Sequence, residues 1–208
     1  MADVSVSSHP LLRHKLARLR HRETSPPAFR ELVYEITQVL FYESTREVPL
    51  RQVTVPTPLA DCPGEEIAAS IGLVPVLRAG LGMASAMLDA LPEAQVWHVG
   101  LYRDEQTLLP VEYYNKLPNP SGLDWAFVLD PMLATGGSAI ATIDILKRVK
   151  AKRIVFLGLI AAPEGVAKLS TAHPDVPIYL AAIDVKLNEV GYIVPGLGDA
   201  GDRQFGTA

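Results

Sequence analysis

Five apolar runs constrain this chain most: "IGLVPVL", "AQVWHVGLY", "WAFVLD", "RIVFLGLIAA" and "IYLAAID", each bounded by polar or helical sequence. Runs this short and this continuously apolar read as strands buried on both faces. Between several of them lie helical patterns: "GLGMASAMLDAL", the stretch after Ser138, and "PEGVAKLSTAH". Buried strands alternating with helices predict an α/β fold, a mostly parallel central sheet with helices on both faces. The 208 residues, 49% of them hydrophobic and 20% charged, suit one domain with a sizeable core.

Two helices are expected ahead of the sheet. "PPAFRELVYEITQVLFYE" opens on Pro27, and "HPLLRHKLARLRHRE" is basic and amphipathic, with Leu12, Lys15, Leu16 and Leu19 at helical spacing. The basic segment could be a transit peptide or a membrane-surface helix. It lacks a long apolar stretch and a small-residue cleavage site, so a docked first helix is the expectation. From residue 103 to 124 the pattern turns polar, with Pro110, Pro118 and Pro120, and core periodicity is absent. A connection of that length is expected to be a functional flap or a misread element.

Net charge of −4 gives no general attraction to nucleic acid or to an anionic membrane, and neither is expected as a partner. No run of roughly 18 apolar residues could span a bilayer. Cys62 stands alone, which excludes an internal disulfide and a cysteine-based zinc site, and the five histidines are scattered. A reducing cytoplasm is the expected location.

The chemistry is concentrated in "VLDPMLATGGSAIATIDILK", residues 128 to 147. An apolar strand ends at Asp130, and Ile140, Ile143, Leu146 and Val149 recur at helical spacing. Thr135, Gly136, Gly137 and Ser138 fall where that helix starts. Its first N–H groups lack intrahelical partners and face an anion under the positive end of the dipole. The two glycines permit close approach, while Thr135 and Ser138 could cap the helix or donate to phosphate oxygens. On the plainer reading the segment is a strand-to-helix turn whose hydroxyls only cap. It is not a P-loop, since the GxxxxGK[ST] spacing is absent. An acid at the strand end beside a phosphate cradle implies a phosphorylated ribose.

Two other glycine segments need weighing. In "VLRAGLGMASAML", Arg78 precedes Gly80 and Gly82 at a strand end, suiting a second anion or only a tight turn. "GLGDAG" at 196 to 201 has GxGxxG spacing, but the chain ends at Ala208, with no room for the helix and strand of a dinucleotide unit. Main-chain groups of Gly198, Asp199 and Ala200 could instead read a planar base edge with Ile193 covering a face. A plain C-terminal loop is the alternative.

In order and spacing, "LRAGLGM", "DPMLATGGSAIATID", "AAPEG" and "GYIVPGLGDAGD" resemble the uracil phosphoribosyltransferases, from "HPLLRHKL" to "QFGT". The resemblance implies a type I phosphoribosyltransferase fold: one domain over residues 1–208, a hood from the N-terminal region and about 186–208, and a flexible flap at about 103–124. It implies transfer of the 5-phosphoribosyl group of 5-phosphoribosyl 1-diphosphate (PRPP) to N1 of uracil, giving uridine monophosphate and diphosphate in pyrimidine salvage. Arg78 and Arg103 would contact PRPP and act in catalysis with Asp130. Asp130, Pro131, Met132, Leu133, Ala134, Thr135, Gly136, Gly137 and Ser138 would hold ribose and 5-phosphate. Ile193, Gly198, Asp199 and Ala200 would form the uracil site, with Asp199 also reaching PRPP.

Many type I members carry two adjacent acids before the loop, where this chain has Asp130 and Pro131, a pairing that itself resembles the uracil branch. Magnesium is the implied cofactor, held largely through substrate oxygens and not by a protein ligand set. The resemblance also implies a homo-oligomer, a dimer or larger, and makes GTP a candidate allosteric activator. An RNA-binding regulator of the same fold would need a basic surface, which the acidic balance disfavours. A purine phosphoribosyltransferase would keep the donor site and change the hood.

Overall fold

The computed structural model describes residues 2–103 and 110–207, with the side chains of 101–113 outside the description. Its elements in chain order begin with β1 (Val4–Val6), α1 (Pro10–Arg20), α2 (Pro26–Ser44), β2 (Leu50–Pro56), β3 (Asp61–Ile67), β4 (Ile71–Pro75) and α3 (Leu81–Ala90). Next come β5 (Gln95–Val96), β6 (Val99–Arg103), β7 (Pro110–Asn115), β8 (Trp125–Leu129), β9 (Met132–Leu133) and α4 (Gly137–Arg148). The chain closes with β10 (Arg153–Ala161), α5 (Pro163–Ala172), β11 (Ile178–Ile183), β12 (Lys186–Leu187), β13 (Ile193–Val194) and α6 (Ala200–Phe205).

The central sheet runs β1-β11-β10-β8-β4-β5, every neighbouring pair parallel. Side chains alternate between its faces, and the alternation divides the core. Trp125, Phe127 and Leu129 of β8 pack with Val155 and Leu157 of β10 beneath α1, α2 and α3. Ala126 and Val128 face the other way with Ile154 and Phe156, covered by Ile143 and Leu146 of α4 and Leu169 of α5. The expected two-faced α/β sheet is thus what the chain forms. α1 is a docked helix, with Leu12, Leu16 and Leu19 buried.

β1, an edge strand that precedes both expected helices, is not announced by the sequence, and three further segments differ from their patterns. "AQVWHVGLY" is not one buried strand: β5 is a short sheet edge, and β6 leaves to pair antiparallel with β7. At an edge only one face is covered, and Gln95 and His98 are exposed where a central strand would be buried. The irregular stretch beginning at residue 103 contains β7, and its far end is fastened to the body. Leu123 is buried, and Ser70 Oγ and N donate to Asp124 Oδ2, both at 2.9 Å. Residues 104–109, the heart of the expected flap, lie outside the described residues. Finally, β2 and β3 form an antiparallel hairpin, exposed along most of its length, that apolar periodicity does not announce.

Candidate active site

β8 and β9 behave as one strand with a kink. Leu129 pairs with Leu157 and Met132 with Ile160, so the register against β10 is kept across Asp130 and Pro131. Asp130 N donates to Leu157 O at 3.1 Å, and Pro131 O accepts from Leu159 N and Ile160 N. Proline has no N–H to contribute here, and its carbonyl carries the ladder. Asp130 is left at the carboxyl edge of the sheet, half-buried, with Oδ1 accepting from Met132 N at 3.2 Å. Desolvation pushes its carboxyl up to about 7, opposed by that N–H, which favours the ionised form.

Beyond Leu133 the chain turns into α4 at Gly136, whose φ of 77° is left-handed and favours glycine. No side chain caps α4. The hydroxyls of Thr135 and Ser138 therefore do not serve as its cap, and the first-turn N–H groups remain open to a ligand. A cavity of about 110 Å³, lined by residues 130 and 132–139, sits over this helix start. Gly165, in the first turn of α5, supports the loop from below: a Cβ there would lie 2.3 Å from Ala134 O and 2.6 Å from Leu133 O.

The neighbouring strand β4 delivers Arg78. Val76 N donates to Leu129 O at 2.9 Å, and a Cβ on Gly80 would come 2.3 Å from the same carbonyl. The turn is thereby pressed against the end of β8, one residue from Asp130. The Arg78 side chain is 59% exposed, and its Nη2 lies 3.2 Å from Asp202 Oδ1. An exposed pair of that kind is weak, so an anionic ligand can compete for the guanidinium. Arg103 ends β6, but its side chain lies outside the description.

The C-terminal segment closes over the same edge. Asp199 caps α6, accepting from Asp202 N at 2.9 Å, and Ala200 is buried as its first residue. "GLGDAG" thus leads into a short helix instead of ending as a plain loop. A Cβ on Gly201 would lie 3.2 Å from Asp199 Oδ1 and 3.9 Å from Arg78 Nη2, which brings the segment beside the arginine turn. Gly198 has φ 80°. Ile193 is buried in the core with Leu197, so its side chain does not stand open to cover a base. Arg20 anchors this region, donating to Asp184 Oδ2 at 2.7 Å and to Gly196 O at 2.8 Å.

The fold thus brings Arg78, the 130–138 segment and the 198–200 segment, all expected from the sequence to line a site, to one edge. Sequence reading missed Asp202, Gly165 and the Arg20–Asp184 pair. Only the glycine of "AAPEG" carried a local signal, because the others depend on contacts between residues far apart in the chain. Among the described residues no helix is long and apolar enough to cross a membrane. No group of three or more His, Cys, Asp or Glu that could hold a metal is found among them.

A hypoxanthine-guanine phosphoribosyltransferase from Bacillus anthracis superposes with a TM-score of 0.52 at 13% identity, covering 76% of this chain and 80% of that one. A protein of Aquifex aeolicus superposes with a TM-score of 0.92 at 34% identity, covering 99% of each chain. The fold is that of the type I phosphoribosyltransferases. Within that class, the uracil phosphoribosyltransferase family model matches residues 6–207. The uracil phosphoribosyltransferase of Roseiflexus sp. (strain RS-1) is 62% identical over 207 residues, covering all of both chains. This chain belongs to the uracil phosphoribosyltransferase family.

Proposed function

We infer that the chain is a pentosyltransferase that joins uracil N1 to the 5-phosphoribosyl group of PRPP, releasing diphosphate and forming uridine monophosphate for pyrimidine salvage. The observation that carries this reading is the uncapped, glycine-entered start of α4 beside Asp130, in a chain matched nearly end to end by the uracil phosphoribosyltransferase family. In this reading the N–H groups at 136–138, with Thr135 and Ser138, hold the 5-phosphate. Asp130 accepts from the ribose hydroxyls, with Pro131 to Ala134 shaping the floor.

Breaking the bond from C1 to diphosphate builds positive charge on the ribose and negative charge on the leaving group. Arg78 and Arg103 stabilise the diphosphate. Ile193, Gly198, Asp199 and Ala200 hold uracil, Asp199 also reaching the donor. The chain acts as a single domain, with the hood closing one side and the 103–124 flap excluding water that would capture the ribosyl cation.

Thr135 and Ser138 are taken by the 5-phosphate and Asp130 by the ribose hydroxyls, so a magnesium ion would depend on PRPP for its oxygen ligands. Bound mainly through substrate oxygens, it would neutralise charge on the leaving diphosphate. Activation by GTP, assembly into a dimer or larger oligomer and a cytoplasmic location belong to the same proposal. Titrating GTP into the assay and measuring mass in solution test the first two. The decisive experiment follows diphosphate release with uracil, with other bases and with no base. Uracil-dependent release of diphosphate with uridine monophosphate is expected, and equal release without base would remove the assignment.

A further inference from the structure

Gln204 is 1% exposed and stands between two parts of the site that have no covalent reason to move together. Its Nε2 donates to Ala79 O at 2.8 Å, in the turn that carries Arg78. The same nitrogen donates to Ala200 O at 3.1 Å, at the first residue of α6 after Asp199. Both acceptors are carbonyls, so only this orientation of the amide satisfies them. Oε1 is then turned toward Gly82, buried and without a hydrogen-bond partner among the described residues. A buried unpaired acceptor is costly and needs a reason. The Gln204 main-chain carbonyl is held in turn by Arg30 Nη1 at 2.7 Å, which keeps the tie from swinging with the chain end.

We propose that Gln204 is a positioning residue, its amide fixing the Arg78 turn against the hood helix so that the diphosphate and base subsites are set relative to each other. The proposal rests on the reading of the site given above. Gln204 touches neither substrate, and it acts through Arg78 on one side and through residues 199 and 200 on the other.

Gly82 gives independent access to the tie. A Cβ there would lie 2.3 Å from Gln204 Oε1, so the amide would have to shift, disturbing its bonds to the two carbonyls. The test compares wild type, Gln204→Met, Gly82→Ala, Gln204→Ala and the double variant Gly82→Ala/Gln204→Ala in steady-state kinetics with uracil and PRPP. Gln204→Met should raise KM for both substrates together, by about 5-fold or more, as a misplaced geometry does. A residue that only stabilises the fold would lower the concentration of active enzyme and leave both KM values alone. Gly82→Ala should lower kcat/KM about 10-fold, but less than about 2-fold when residue 204 is already alanine, because the two changes act through one contact. Unchanged KM values in Gln204→Met, or a full Gly82→Ala effect persisting in the Gln204→Ala background, overturns the proposal. Formation of uridine monophosphate by the wild type separates failure of the tie from failure of the underlying reading, and its absence overturns both.

Discussion

Asp130 is the residue at which sequence and physics meet most directly. An acid at a strand end is visible in "VLDPM", but its burial and its raised carboxyl pKa of about 7 belong to the packed edge of the sheet. In the unfolded chain the carboxyl titrates near the ordinary value of about 3.9. Below that pH both states are protonated and the side chain costs nothing. As pH rises toward 7 the unfolded state releases its proton while the folded state keeps it, so stability is lost across this window. Asp130→Asn cannot ionise and can still accept from Met132 N. Its stability relative to wild type should rise between pH 4 and pH 8, by on the order of 1–3 kcal/mol after allowing for partial exposure. Thermal denaturation of both proteins across that range measures it, and parallel curves would contradict the raised pKa. Arg78 is a second residue-scale case, exposed and only loosely paired with Asp202. Arg78→Ala should stay folded and lose on the order of 10²-fold in kcat/KM, the usual scale for one preorganised electrostatic contact. A folded variant with near-normal turnover would take Arg78 out of the diphosphate site.

At the scale of elements, legibility follows burial. β4, β8, β10 and β11 are covered on both faces, and their apolar runs stand out; α4 and α5 show a helical stripe because one face meets the sheet. The β2–β3 hairpin was not legible, since none of its strand residues is buried and Pro56 and Pro63 interrupt any alternation. α6 was hidden for another reason: its start depends on Asp199 accepting from Asp202 N, in a segment whose glycines read as a turn. The loop itself was readable from its glycines, whereas Gly165 stood out only as part of "AAPEG" and its role as support was hidden, because it lies a strand and a helix away. A Cβ at 165 meets Ala134 O at 2.3 Å and cannot be relieved by a side-chain rotation, since the obstacle is backbone. Gly165→Ala should therefore lift the loop, raising KM for PRPP several-fold and destabilising the protein by about 1–3 kcal/mol, the range for overpacking. Unchanged donor KM with normal stability would show that α5 does not set the loop.

For the whole molecule, the parallel sheet decides where chemistry can occur and leaves open which base is used. The same fold is present in a protein whose name specifies hypoxanthine and guanine, at a TM-score of 0.52 and 13% identity. The sheet alone therefore does not choose the base, and in the reading proposed above the choice falls to the segment from β12 through α6. There Ala200 N–H stands at the start of a helix without an intrahelical partner, and Gly198 bends the main chain toward it. Uracil presents acceptor O2, donor N3–H and acceptor O4 along one edge, whereas cytosine presents O2, an N3 acceptor and a 4-amino donor. Two of three positions are reversed. Main-chain donors and acceptors around 198–200 cannot exchange roles by rotating, so cytosine would leave buried groups unpaired at about 1–3 kcal/mol each. Two such groups predict that kcat/KM for uracil exceeds that for cytosine by on the order of 10²–10⁴ at saturating PRPP. A ratio below about 10 would mean that no fixed main-chain pattern reads the edge, and residues 193 to 200 would lose their place as the uracil site while the donor site at Asp130 and the glycine loop would stand.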